Sequence, residues 1–94
     1  MRTHRPRFPL GQVVATPGAL VALQAAGELP FALLRRHQSG DWGDIPKADK
    51  AENELSVAQG LRILSAYTLT TGEKIWLITE ADRSATTLLL PSEY

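Results

Sequence analysis

Between residues 37 and 44 the chain reads HQSGDWGD, which sets one imidazole and two carboxylates within a single short stretch. His37, Asp41 and Asp44 carry nitrogen and oxygen donors of the kind that hold a divalent metal or act as an acid–base set. A second cluster, EADRS at 80–84, places Glu80 and Asp82 beside Arg83. There a carboxylate can serve as base while the guanidinium holds a phosphate or carboxylate. If the two clusters converge, they define a metal-dependent hydrolase or nuclease. Metal–oxygen bonds run roughly 2.0–2.6 Å, so carboxylates more than about 10 Å apart share no ion.

Each of these residues also has a structural use. His37 closes a helix, where a hydrogen-bonding or positive side chain is favourable. Gly40 suits a left-handed stop, Trp42 an apolar plug, and Asp44 a cap for the helix entered through Pro46. Asp82 can hold its turn through side-chain-to-backbone bonds. The spacings match no specific metal motif, and neither a nucleophile elbow nor a phosphate-cradling glycine loop is present. That excludes acyl transfer and nucleotide hydrolysis, and no cofactor is expected.

Regular elements must position these groups. LGQVVAT (10–16) reads as a short strand, then Thr16 caps a helix whose first residue is Pro17 and whose stop is Gly27. Leu20 and Leu23 fall on one side of it. Pro30 opens PFALLRRHQ, with Phe31, Leu33 and Leu34 expected inward and Arg35 and Arg36 in the last turn. Pro46 opens KADKAENELSVAQ, where Ala48, Ala51, Leu55 and Ala58 repeat at helical spacing and predict a small-residue face against a sheet. Lys50 and Glu54 form an i,i+4 pair on the wet side.

After Gly60 the period changes. LRILSAYTL (61–69), KIWLIT (74–79) and ATTLLL (85–90) are β-rich and separated by turns at 70–73 and 80–84, the first using Gly72. Tyr67 and Trp76 read as packing on sheet faces. The expectation is an α+β fold of order β-α-α-α-β-β-β, with helices on one face of a small antiparallel sheet. Residues 10–94 form one domain, and 1–9, rich in Arg and Pro, a flexible basic arm.

At 44% apolar and 21% charged the chain has an ordinary globular balance. Its apolar runs fall well short of the roughly 18 residues a membrane span needs, which points to a cytoplasmic protein. With no cysteine, thiol nucleophiles, thiolate metal sites and disulfides are all excluded. The net charge is zero but unevenly divided. Residues 1–36 hold five basic and one acidic side chain, or +4, and residues 37–94 five basic and nine acidic, or −4. Arg2, Arg5, Arg7 and Arg83, with Trp42, are therefore the binding candidates, for nucleic acid or for a protein partner.

HQSGDWGD, DKAENE, LSAY, GEKIWLITEADRS and TTLLLPSEY together resemble a family of small uncharacterised bacterial proteins. These are described as plasmid-related or mobile-element proteins, and some as type I restriction-modification subunits. The resemblance spans residues 10–94 and implies a bacterial, mobile-element setting. It carries no catalytic residue, and the chain is too short for a methyltransferase. The leading expectation is a non-enzymatic binding protein acting through protein or nucleic-acid contacts, with an acidic face at 37–54 and 80–82 turned toward host defence. A homodimer through an exposed edge strand is a further option.

Overall fold

The computed structural model describes residues 5–94, so the sequence-stretch candidate Arg2 lies outside the described residues. The elements follow the expected order. They are β1 (Gln12–Ala15), α1 (Pro17–Ala26), α2 (Pro30–Gln38), α3 (Lys47–Gln59), β2 (Ile63–Thr68), β3 (Lys74–Thr79) and β4 (Ala85–Leu89), then a 3-10 turn at Pro91–Glu93. Local signals act where they were read. Thr16 Oγ1 accepts from the Ala19 N–H at 3.1 Å, Pro17 opens α1, and Gly27 and Gly60 end α1 and α3. Among the described residues no single helix is long and apolar enough to cross a membrane.

The sheet is ordered β1-β4-β3-β2. β2, β3 and β4 form the expected antiparallel meander, but β1 joins β4 in parallel, so the whole sheet is mixed rather than antiparallel. The reason is one of direction. The helical crossover from β1 returns the chain in the same sense at β2, and two hairpin reversals leave β4 running with both. A parallel neighbour needs a connection of a dozen residues or more, and α1 to α3 supply it.

One sheet face carries Ser65, Tyr67, Ile75, Leu77 and Leu88, all at most 1% exposed. Ala19, Ala22, Leu23 and Leu33 cover it from α1 and α2. On α1 the buried set therefore includes Leu23 but leaves Leu20 49% exposed. On α2 the buried residues are Leu33 and His37, one turn apart, which rotates Phe31 out into solvent beside Arg35. The larger departure is α3. Ala48, Ala51, Leu55 and Ala58 are all exposed, and Asn53 and Ser56 turn inward instead. The cause is what α3 meets: the edge of β2, whose backbone groups need polar partners more than a flat face needs small side chains.

The segment before β1 is part of the body from Arg7 onward, not a free arm. The Arg7 N–H donates to the Gln38 carbonyl (2.8 Å), and Gln38 Nε2 donates to the Phe8 carbonyl (2.9 Å). Phe8 is 5% exposed, stacked on Trp42 at 6.2 Å and edge-on to His37 at 5.2 Å. Residues this buried resist truncation, so Phe8→Ala is expected to lower stability by about 3 kcal/mol in urea denaturation. A loss under about 1 kcal/mol would show that Phe8 is not packed in solution.

Candidate functional site

The sequence's central candidate, His37, lies at the last turn of α2 and is completely buried. Its Nδ1 is 2.6 Å from Ser65 Oγ on β2, and its Nε2 is 2.9 Å from Thr79 Oγ1 on β3. Thr79 Oγ1 is 2.7 Å from Thr86 Oγ1 on β4, and Thr86 Oγ1 donates to the Leu10 carbonyl at 2.8 Å. The proton positions follow from that last bond. Thr86 spends its only hydroxyl proton on Leu10, so it accepts from Thr79. Thr79 then has no proton for the ring, so Nε2 donates to it. Burial pushes the imidazole pKa down to about 3, so the ring is neutral and Nδ1 accepts from Ser65. The chain is directed from end to end, and the described residues leave no buried side-chain polar atom unpartnered.

A serine 2.6 Å from an imidazole has the geometry of a nucleophile and its base. Here the ring's other nitrogen meets a threonine hydroxyl rather than a carboxylate, and Ser65, His37 and Thr79 are each 0% exposed. No substrate atom reaches Ser65 in this arrangement. The polar row instead lies between two apolar clusters, one around Leu23, Leu33 and Leu77, the other of Phe8, Trp42 and Ile63. It ties α2 to three strands.

The rest of HQSGDWGD closes the free edge of β2. Gly43 bridges Ala66 in parallel. The Asp44 N–H donates to the Ala66 carbonyl (2.6 Å), and the Ala66 N–H donates to the Trp42 carbonyl (3.2 Å). Further along the same edge, Asn53 Nδ2 donates to the Leu64 carbonyl (2.7 Å) and Asn53 Oδ1 accepts the Leu64 N–H (3.2 Å). One side-chain amide thus reproduces a ladder partner. Asp44 accepts from Thr68 Oγ1 at 2.7 Å and does not cap α3, whose first residues have no side-chain cap. Asp41 bonds Arg36 Nε (2.6 Å) and the Gly43 N–H (3.2 Å), and the guanidinium holds its carboxyl below the usual range. Tyr67 donates to the Asp41 carbonyl at 2.6 Å, and burial raises its pKa. Trp42 is 4% exposed and gives its Nε1–H to Glu54 Oε2 at 2.9 Å.

The second cluster sits at the other end of the sheet. Thr79, which precedes Glu80, pairs with Ile63, whereas Asp44 bonds Thr68. Those two positions on β2 are about 17 Å apart at roughly 3.3 Å per residue. Glu80 and Asp82 therefore do not meet Asp41 and Asp44, and among the described residues no three His, Cys, Asp or Glu side chains group as metal ligands. Asp82 receives the Ser84 N–H at 2.9 Å and, with that serine, is held below its ordinary pKa. Arg83 donates to the carbonyls of Leu61 (2.6 Å), Glu80 (3.1 Å) and, at the C-terminal end of α3, Ser56 (2.9 Å). It clamps backbone rather than awaiting an anion.

Glu54, expected to pair with Lys50, instead takes Arg7 in a two-pronged pair (2.7 and 3.0 Å) and lies below its usual pKa because of it. Sequence reasoning gave no role to Thr79 and Thr86 and set Ser65 aside as a nucleophile, although a signal existed: Ser65 is polar between buried, apolar Ile63 and Tyr67, and Thr79 and Thr86 each have a buried leucine two residues away on one side. Arg5 and Arg35 line one shallow cleft with Pro6, Gln38 and Ser39, and no carboxylate pairs with either among the described residues.

The opposite sheet edge is different. On β1 the N–H groups of Gln12 and Thr16 point to β4, donating to Ser84 (2.9 Å) and Leu88 (3.0 Å). Alternation turns the N–H and C=O groups of Val13 and Ala15 outward, and no described residue bonds them. Val13 and Val14 are 45% and 43% exposed, and the strand QVVA holds no charge. Compared with known protein families, curated proteins and solved structures, the chain matches none.

Proposed function

We propose that this chain is a non-enzymatic binding protein of a bacterial mobile element, acting in the cytoplasm through protein contacts made at the open edge of β1. The observation that carries the reading is the asymmetry of the two sheet edges. β2 is closed by Trp42, Asp44 and Asn53, while β1 presents backbone that no described residue pairs and two half-exposed valines. Edges that must stay single are normally blunted by charge, proline or a covering segment, and β1 has none of these within it. An edge in that condition takes a strand from a partner. The mobile-element setting comes from the sequence resemblance.

A protein partner is favoured over nucleic acid because the open β1 edge offers backbone groups and no charge, and three of the seven arginines are committed within the fold. Arg7 and Arg36 are paired with Glu54 and Asp41, and Arg83 with carbonyls. The same pairs neutralise Asp41 and Glu54 within the acidic face expected at 37–54. Purification of the tagged chain from a bacterial host is expected to bring down a polypeptide, a second copy of this chain included, that Val14→Lys fails to retain. Equal recovery by both forms would overturn the reading.

A further inference from the structure

We propose that the occupant of the β1 edge is β1 of a second copy, paired antiparallel about a two-fold axis to give one sheet running through both molecules. This rests on the reading of β1 as a binding edge and names its partner. The free groups fit their own symmetry mates. Val13 and Ala15 are the β1 residues whose N–H and C=O face outward, and an antiparallel hydrogen-bonded pair exchanges both groups between two residues. Placing Val13 opposite Ala15 of the second copy uses all of them. A shift that sets Val13 opposite Val13 would bring Ala15 against Gly11, whose φ of +66° takes it out of the extended conformation. Beyond Thr16 stands Pro17, with no N–H to give. The strand's own ends therefore select one register.

In that register Val14 faces Val14 at the two-fold axis, in a non-hydrogen-bonded position where Cα atoms approach to about 4.5 Å and β-branched pairs pack well. No like charges meet, because QVVA is uncharged and the chain has no net charge. Three strand spacings separate β4 from its mate, about 14 Å at roughly 4.8 Å each. Helix α1 contacts β4, and a helix with side chains is about 10–12 Å wide, so the two α1 helices lie alongside. Leu20 and Val21, 49% and 67% exposed, then supply apolar surface that four-residue strands alone lack. So small an interface belongs to the weak end of specific association.

The chain has no cysteine, which makes cross-linking a clean test of register. Light scattering across micromolar to millimolar concentration is expected to show a dimer for the native chain and for Val14→Thr. Val14→Lys, folded by circular dichroism because its side chain is exposed, should associate at least tenfold more weakly. Under mild oxidation Val14→Cys should form a covalent dimer faster than Val13→Cys. A native chain that stays monomeric, a dimer that Val14→Lys leaves intact, or faster cross-linking at Val13 would overturn the inference. If the native chain is monomeric yet co-purification still depends on Val14, the binding edge stands and only the second copy falls. If neither depends on Val14, both fall.

Discussion

Between pH 6.5 and pH 4.5 the domain is expected to lose about 2 kcal/mol of folding stability through His37 alone, whose pKa is lowered to about 3 by burial. The unfolded imidazole titrates near 6.5, so in this window the unfolded state binds a proton that the folded state refuses. Stability from the neutral ring is complete above the unfolded value and falls as pH drops toward the folded one. A small domain's entire stability is about 5–15 kcal/mol, so this one side chain makes acid unfolding prominent. His37→Gln separates the effect from other groups. Its amide oxygen can accept from Ser65 and its NH2 can donate to Thr79, but it does not titrate. Urea denaturation at pH 7 should find the variant weaker by about 1–2 kcal/mol from imperfect fit. From pH 7 to 4.5 it should lose about 2.5 kcal/mol less than the native chain. Equal losses would mean that His37 is not sealed. The carboxylates lowered by arginine, Asp41 and Glu54, are largely exposed and shift both proteins alike. Nitrogen NMR of the native ring should place the proton on Nε2.

Gly43→Ala is the second large effect. Gly43 has φ +76°, and a β-carbon there would overlap the Ala66 carbonyl oxygen and lie 2.7 Å from Tyr67 Cδ1. Backbone strain contributes about 1 kcal/mol or more and the forced contact about 1–3 more, so a loss of about 3 kcal/mol is expected. For a domain this size that is a fall of roughly 12–24 °C in Tm. Gly27→Ala is the control. Its φ is +67°, but a β-carbon would meet nothing within 4 Å, so only the strain remains, about 1 kcal/mol. Scanning calorimetry of both variants decides which term dominates. If the two match, close approach at Gly43 contributes nothing and the loop does not press on β2. Amide exchange at Ala66 should also quicken in Gly43→Ala, because its N–H donates to Trp42 across that contact.

Both predictions concern HQSGDWGD, and they explain how that stretch can look catalytic while serving the fold. A histidine among glycines and aspartates is the composition of a metal loop, and equally of a loop that must bend sharply past a strand edge. Chemistry requires the groups to converge on an accessible point. Here His37 turns into the core, Asp41 and Asp44 turn along the edge of β2, and Glu80 and Asp82 stand at the far end of the sheet. The second spacing argument, the small-residue face of α3, failed for a related reason. Periodicity identifies the helix but not its rotation, and Asn53 set that rotation by bonding β2.

The sequence by itself determined the elements, their order and most of their ends, because caps, stops and turns act over a few residues. Thr16 with Pro17, Gly27 and Gly60 work through bonds to their own helix. The tertiary structure alone decided β1's parallel pairing, the inward face of α3, the docking of Phe8 and the fate of His37. Those depend on groups far apart in the chain: His37 with Thr79 at a separation of 42, and Arg7 with Glu54 at 47. Spacing along a sequence carries no such distances. They are settled by which backbone and side-chain polar groups are left to satisfy once the strands have paired.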